Sequence, residues 1–216
     1  MITLLLWMLG FAAGVVSQDA ARPSPAELAK SIQSRYSKIR DFSADFLHTY
    51  EGGVLRRKAQ DRGTVLIKKP GKMRWSYREP ERKLFVSDGQ KLYAHIPADR
   101  QVIVSKLPAG DEVSTPALFL TGKGDLLRDF TVSAPQVGAA DTYTLQLVPK
   151  SREPEYEVLL LTVDRKTLGL RGLIAHDHQG GRSTFVFTNL KENIGVSDKE
   201  FVFQMPKGVE IIGDTR

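Results

Sequence analysis

The stretch GKMRWSYREPERKLFVSDGQKLYAHIP, Gly71 to Pro97, decides the fold class. In KMRWSY, Met73, Trp75 and Tyr77 alternate with Lys72, Arg74 and Ser76. Strand side chains point to opposite faces with a period of two, so one face of this segment is apolar and the other polar. Asp88-Gly89 then supplies hairpin-turn chemistry between KLFVSD and QKLYAHI. A strand–turn–strand unit with one apolar face must bury that face, which makes it part of a sheet packed on one side.

The same alternation spreads outward in both directions. Upstream lie GTVLIKK, with Val65 and Ile67, and DFSADFLHTY, in which Phe42, Ala44 and Phe46 alternate. Downstream come RQVIVSKL, DTYTLQLVP, YEVLLLTVD, LGLRGLIAHD, STFVFTNL and FVFQM. Polar turns such as Asp164-Arg165-Lys166 and Gly180-Gly181 separate them. About ten to twelve short strands at this spacing predict one large antiparallel sheet, curled or barrel-like. No βαβ alternation occurs, which argues against a parallel sheet.

Two segments depart from the strand pattern. Ser24-Pro25-Ala26-Glu27 combines a capping box with proline at the first helical position, and Leu28, Ile32, Tyr36 and Ile39 follow at helical spacing. This predicts an amphipathic helix from Pro25 to about Arg40 whose apolar stripe packs on the sheet. The second interruption runs from Pro108 to Phe130. Thr115-Pro116 can start a helical turn there, Leu118, Phe119 and Leu120 make it apolar all round, and Gly122-Lys123-Gly124 ends it. Such a turn is either a lid over one face of the sheet or a plug in its core.

The chain has 216 residues, enough for one domain with a sizeable core. Residues Met1–Ser17 carry no charged side chain and end in small residues near Val15-Val16-Ser17. This stretch is short for a span, which needs about 20 apolar residues, so we expect a cleaved secretory signal over 1–17 rather than an uncleaved anchor. Residues 18–216 then form a single domain. The chain has no cysteine, which excludes disulfides, thiolate chemistry, cysteine zinc sites and a lipidated N-terminal cysteine. The net charge of +6 falls entirely after the leader. For an exported chain it suits anionic surfaces or acidic partners rather than nucleic acid, or merely aids solubility.

Catalytic motifs are missing. There is no Gly-x-Ser-x-Gly elbow, no His-Glu-x-x-His, and TGKGD lacks P-loop spacing. His176-Asp177-His178 is the one metal-like cluster, but beside Gly180-Gly181 it reads as a polar surface turn. Glu153, Glu155 and Glu157 flank Pro154 and read as a solvated cluster. We therefore expect no enzyme activity, no metal and no cofactor. What remains is the apolar face of a curled sheet, with Met73, Trp75, Tyr77 and the phenylalanines. It either packs solid or holds a greasy ligand.

The ordered pieces FSADF, GTVLIKKPGKMRWSY, VSDGQKLYAHIPADRQV, STPALFL and FVFQMPKGVEI resemble the periplasmic outer-membrane lipoprotein carrier family, LolA, from about Leu28 to the C-terminus. The resemblance implies an open, incomplete antiparallel β-barrel, here of about eleven strands, covered by the N-terminal helix and a short helical lid. It implies a chaperone in the periplasm that takes lipoprotein acyl chains into a hydrophobic cavity. Its partners would be acylated lipoproteins, an inner-membrane ABC releasing complex (LolCDE-like) and an outer-membrane receptor (LolB-like). The cavity would be lined by Phe42, Phe46, Val65, Ile67, Met73, Trp75, Tyr77, Leu118, Phe119 and Leu120. Lys69 would latch the lid where the family often carries arginine, and Met73 stands where phenylalanine is common. The alternatives are a half-barrel module that senses lipids or lipoproteins, and a carrier of another lipid.

Overall fold

The computed structural model describes residues 23–52, 57–107, 120–122, 124–134 and 139–213. The expected leader over 1–17 and the lid residues Leu118 and Phe119 lie outside the described residues. Helix α1 spans Pro25–Ser37 and starts as its sequence predicts: the Ser24 hydroxyl accepts from Glu27 N–H, and the Glu27 carboxylate accepts from Ser24 N–H at 2.9 Å. It ends before Arg40, with Lys38 as its C-cap. Among the described residues no helix is long and apolar enough to cross a membrane.

Twelve strands follow: β1 Asp41–Gly52, β2 Arg57–Lys68, β3 Lys72–Glu79, β4 Lys83–Asp88, β5 Lys91–Ile96, β6 Gln101–Lys106, β7 Phe130–Ser133, β8 Thr142–Pro149, β9 Val158–Asp164, β10 Leu170–His176, β11 Arg182–Glu192 and β12 Glu210–Gly213. A short helix α2, Leu126–Asp129, precedes β7. All twelve strands form one open sheet in the order β12-β6-β5-β4-β3-β2-β1-β11-β10-β9-β8-β7. Two antiparallel meanders, β1–β6 and β7–β11, are joined by the β1–β11 pair. The architecture is thus mainly β with α, and the sheet is not closed into a barrel.

Two expectations need correction. The sheet is not wholly antiparallel, because β12 pairs with β6 in parallel. FVFQM is not a strand either. Its first residue, Phe201, ends a 3-10 turn, Asp198–Phe201, that lies against β3 and β4. Its alternation reports burial without a ladder: Phe201 is fully buried and Phe203 stacks on Tyr93 with ring centroids 4.9 Å apart. The turn is pinned by Lys68 and Lys72, whose ammonium groups meet the Asp198 carboxylate at 2.8 and 2.9 Å, and by Arg74, which donates to the Glu200 carbonyl.

The sheet consequently buries apolar side chains on both faces. The convex side carries a small cluster of Val86, Val102, Val104 and Phe201. The concave side carries the main core, which joins the α1 stripe of Leu28, Ala29, Ile32 and Tyr36 to residues from β1–β3 and β8–β11. Helix α1 lies against α2 and β7, so it roofs the β7–β11 side of the concavity.

Candidate functional site

Strand register fixes which side chains share the concave face. Phe42 pairs with Ile67, and Ile67 with Met73. Ala44 pairs with Val65, and Val65 with Trp75. Phe46 pairs with Gly63, and Gly63 with Tyr77. Phe42, Phe46, Val65, Ile67, Met73 and Trp75 are all buried, and Tyr77 is partly buried against them. Leu120 is buried in the same cluster. Eight of the ten side chains expected on the apolar face therefore come together, and Leu118 and Phe119 lie outside the described residues.

Aromatic rings dominate one part of this surface. Phe46 lies 5.1 Å from Trp75 and 4.8 Å from Tyr77, centroid to centroid. Gly63 makes that possible, since a Cβ there would fall 2.6 Å from the Phe46 ring and would also collide with the Ser76 carbonyl oxygen. Phe185 and Phe187 of β11 complete the cluster, with Phe185 at 5.4 Å from Trp75. The alternation in STFVFTNL carried this signal, but assigning the two rings to the same face required the β1–β11 register.

A polar rim closes the aromatic end. The His48 imidazole stacks on Phe185 at 4.2 Å, and its Nε2 lies 2.7 Å from the Ser183 hydroxyl. Asp61 is buried, with Lys83 at 3.5 Å and His48 at 3.7 Å. Burial holds the His48 pKa below its ordinary value, and the Asp61 carboxylate pulls the other way. Burial also raises the Tyr77 phenol.

One cross-sheet row shows where the face opens. It runs Ala44, Val65, Trp75, Phe85, Ala94, Ile103, Ile212, each paired to the next from β1 to β12. Val65 is 0% exposed, Trp75 7%, Ile103 39% and Ile212 40%. Val102 and Val104, on the other face of β6, are buried. The apolar row thus continues from core to solvent without a change of residue class.

Lys69 sits at the opposite end of β2, where the structure joins three segments. Its ammonium donates to the Tyr36 carbonyl at the end of α1 and lies 3.6 Å from the centroid of the Tyr36 ring. The Tyr36 hydroxyl in turn donates to the Leu120 carbonyl at 2.6 Å, and Gly71 N–H donates to the Thr121 carbonyl at 3.1 Å. Desolvation lowers the Lys69 pKa to about 8, against a smaller upward pull from Glu192. Gly122, with φ of 80°, leaves room for the Lys69 stem, because a Cβ there would come within 2.6 Å of Lys69 Cδ. The sequence marked Lys69, but it gave Tyr36 only as part of the helical stripe, not as the bridge between helix and Leu120. Behind Lys69 a groove of about 490 Å³ is lined by Ile39, Arg40, Asp41, Lys68, Pro70 and Val196. Its Asp41 carboxylate is satisfied by Ile194 N–H and Gly195 N–H at 2.7 and 3.0 Å.

Among the described residues no group of three or more His, Cys, Asp or Glu side chains is placed to hold a metal ion. His178 instead faces the Glu153 carbonyl at 2.7 Å. The Asp177 carboxylate caps the turn at Gln179 and Gly181.

A family model described as outer membrane lipoprotein carrier protein LolA matches residues 37–204. The outer-membrane lipoprotein carrier protein of Chromohalobacter salexigens is 31% identical over 185 residues, covering 85% of this chain and 86% of its own. That of Methylococcus capsulatus is 31% identical over 214 residues, covering 99% and 95%. Among solved structures, an uncharacterized conserved protein from Thermus thermophilus has the same fold, with a TM-score of 0.54, 10% identity and coverage of 85% and 98%.

Proposed function

This chain belongs to the LolA family of outer membrane lipoprotein carriers, and on that premise we propose that it carries lipoproteins across the periplasm by holding their acyl chains on its concave apolar face. The family is one of carriers rather than enzymes. The observation that supports the reading in this chain is the row from Val65 to Ile212, which begins in the core and ends at the open edge of the sheet. Each buried methylene contributes about 0.8 kcal/mol, so a multiply acylated protein does not cross water unaided. A carrier must match that burial and still let go.

Residues Phe42, Phe46, Val65, Ile67, Met73, Trp75, Tyr77 and Leu120 form the proposed acyl-contact wall, with Leu118 and Phe119 as its lid. Lys69 is the proposed latch. Its bond to the Tyr36 carbonyl, and the Tyr36 bond to the Leu120 carbonyl, tie helix, sheet and lid segment in the empty state. Acyl chains entering between them compete with those bonds, which lowers cargo affinity enough for hand-over. The ammonium on this wall needs its acceptors, because a partly desolvated charge without them is costly. Cargo is taken from an inner-membrane ABC releasing complex and passed to an outer-membrane receptor. The leader over 1–17 is removed on export, leaving one carrier domain.

The test is extraction. The exported protein is incubated with inner-membrane vesicles that contain the releasing complex and labelled lipoprotein. Soluble complex should appear, and mass spectrometry of material that co-purifies with the protein should find acylated lipoprotein. If vesicles release nothing and only other lipids co-purify, the carrier of another lipid is the correct reading.

A further inference from the structure

Among the described residues, one buried donor on the concave face stands in wholly apolar surroundings without a hydrogen bond. The Trp75 indole Nε1 is buried and forms no hydrogen bond, although Trp75 as a whole is only 7% exposed. Its ladder neighbours on this face are Val65 and Phe85, and the rings of Phe46, Phe185 and Phe187 surround it at 5.1, 5.4 and 6.2 Å. None of these side chains offers an oxygen or nitrogen acceptor. An indole N–H donates only, and a buried donor left unpaired is costly. Buried Trp side chains usually find an acceptor for this reason.

The surroundings say what kind of acceptor fits. Among the described residues, the side chains named above are hydrocarbon and aromatic and carry no cation. A carboxylate or phosphate would be buried there without a counter-charge. A neutral carbonyl attached to hydrocarbon meets both conditions: its chain covers the rings and its oxygen takes the N–H. We infer that Trp75 is a specificity-determining residue for acyl esters, its indole N–H donating to the carbonyl oxygen of an acyl chain that lies on the concave face. This rests on the carrier reading above and adds to it the chemical group that is recognised. A bare alkyl chain would bury the same rings yet leave the N–H unpaired.

The experiment compares dipalmitoylglycerol with dihexadecylglycerol, its ether-linked counterpart, which keeps the chains and lacks both carbonyls. Binding of each is measured on the wild-type protein and on Trp75→Phe, which keeps an aromatic ring and removes the donor. Wild type should bind the ester about five- to tenfold more tightly than the ether, the range expected for one recovered buried hydrogen bond. Trp75→Phe should bind the two equally. In a proton–nitrogen NMR spectrum, the Trp75 indole resonance should move downfield with the ester and not with the ether. Should Trp75→Phe fail to fold, the wild-type resonance decides. Equal binding of ester and ether by wild type, or a preference that survives in Trp75→Phe, overturns this inference and leaves the carrier reading standing. If wild type binds neither lipid and extracts no lipoprotein, both readings fall.

Discussion

The two halves of the concave face differ in chemistry and in closure. On the β8–β9 side the fully buried inward residues are aliphatic: Leu145, Leu147, Leu159, Leu161 and Val163 are each at most 2% exposed, with Tyr143 partly buried at their end. They lie on the side of the sheet that α1 roofs. On the β3–β6 side the inward residues are larger and more open: Tyr77, Phe85 and Leu92 are partly buried, and Ile103 is exposed. Among the described residues one half is sealed and the other leaves apolar side chains partly open. The difference teaches that a curled sheet need not choose between packing solid and holding a ligand. It packs solid where the helix lies, and on the carrier reading proposed above it holds acyl chains where the helix stops.

The largest effect belongs to the sealed half. Leu161→Ala should destabilise the protein by about 3 kcal/mol, the cost of a cavity that the roofed sheet cannot collapse. Chemical denaturation reads it directly. A cost under about 1 kcal/mol would mean that this half is loosely packed and that the contrast is drawn in the wrong place.

An intermediate effect belongs to the seam between the halves, where Lys69 meets α1. The Lys69 pKa is lowered from 10.5 to about 8 by burial. Between those two values the unfolded chain holds a proton that the folded protein has released, so this group makes stability rise with pH across that window. Below about pH 8 both states are protonated and its contribution is flat. In Lys69→Leu the rise should disappear. The check is the difference in denaturant midpoint between wild type and variant at neutral pH and at pH about 10. In hand-over, the same variant should load lipoprotein and release it poorly to the outer-membrane receptor.

The smallest effect on stability belongs to the open half. Ile103→Glu should change stability by no more than about 0.5 kcal/mol, as for exposed positions generally. Extraction of lipoprotein from vesicles should nonetheless drop sharply, because a charge then sits on the apolar row. Normal extraction by this variant would remove the open half from the site.

The sequence exposed local features well and long-range ones poorly. The capping box at Ser24 and Glu27, the stripe of Leu28, Ile32 and Tyr36, and the alternation of Met73, Trp75 and Tyr77 each depend on neighbours within one element, and each is found in place. The wall from Ala44 to Ile212 depends on six ladder registers, and no local pattern gives those. Phe201 and Phe203 show the converse failure. Their alternation was real, but they cap the convex face while Glu210–Gly213, unread as a strand, supplies the parallel edge. The Tyr36 bridge was hidden for a similar reason, since its acceptor is Leu120, 84 positions away.

The seam between β1 and β11 has a kinetic side. Asp41–Gly52 leads the chain of strands yet sits at the middle of the finished sheet, and its second ladder joins Phe42 to Glu192. Strands β2 to β6 can zip onto one another in chain order, because each hairpin is local. The other edge of β1 must wait until almost the whole polypeptide has emerged. During that interval Phe42 and Phe46 stand on an unpaired edge, the kind that recruits foreign strands. Fast completion of the β7–β11 meander, rather than strength of the N-terminal one, is then what guards a newly made molecule against aggregation.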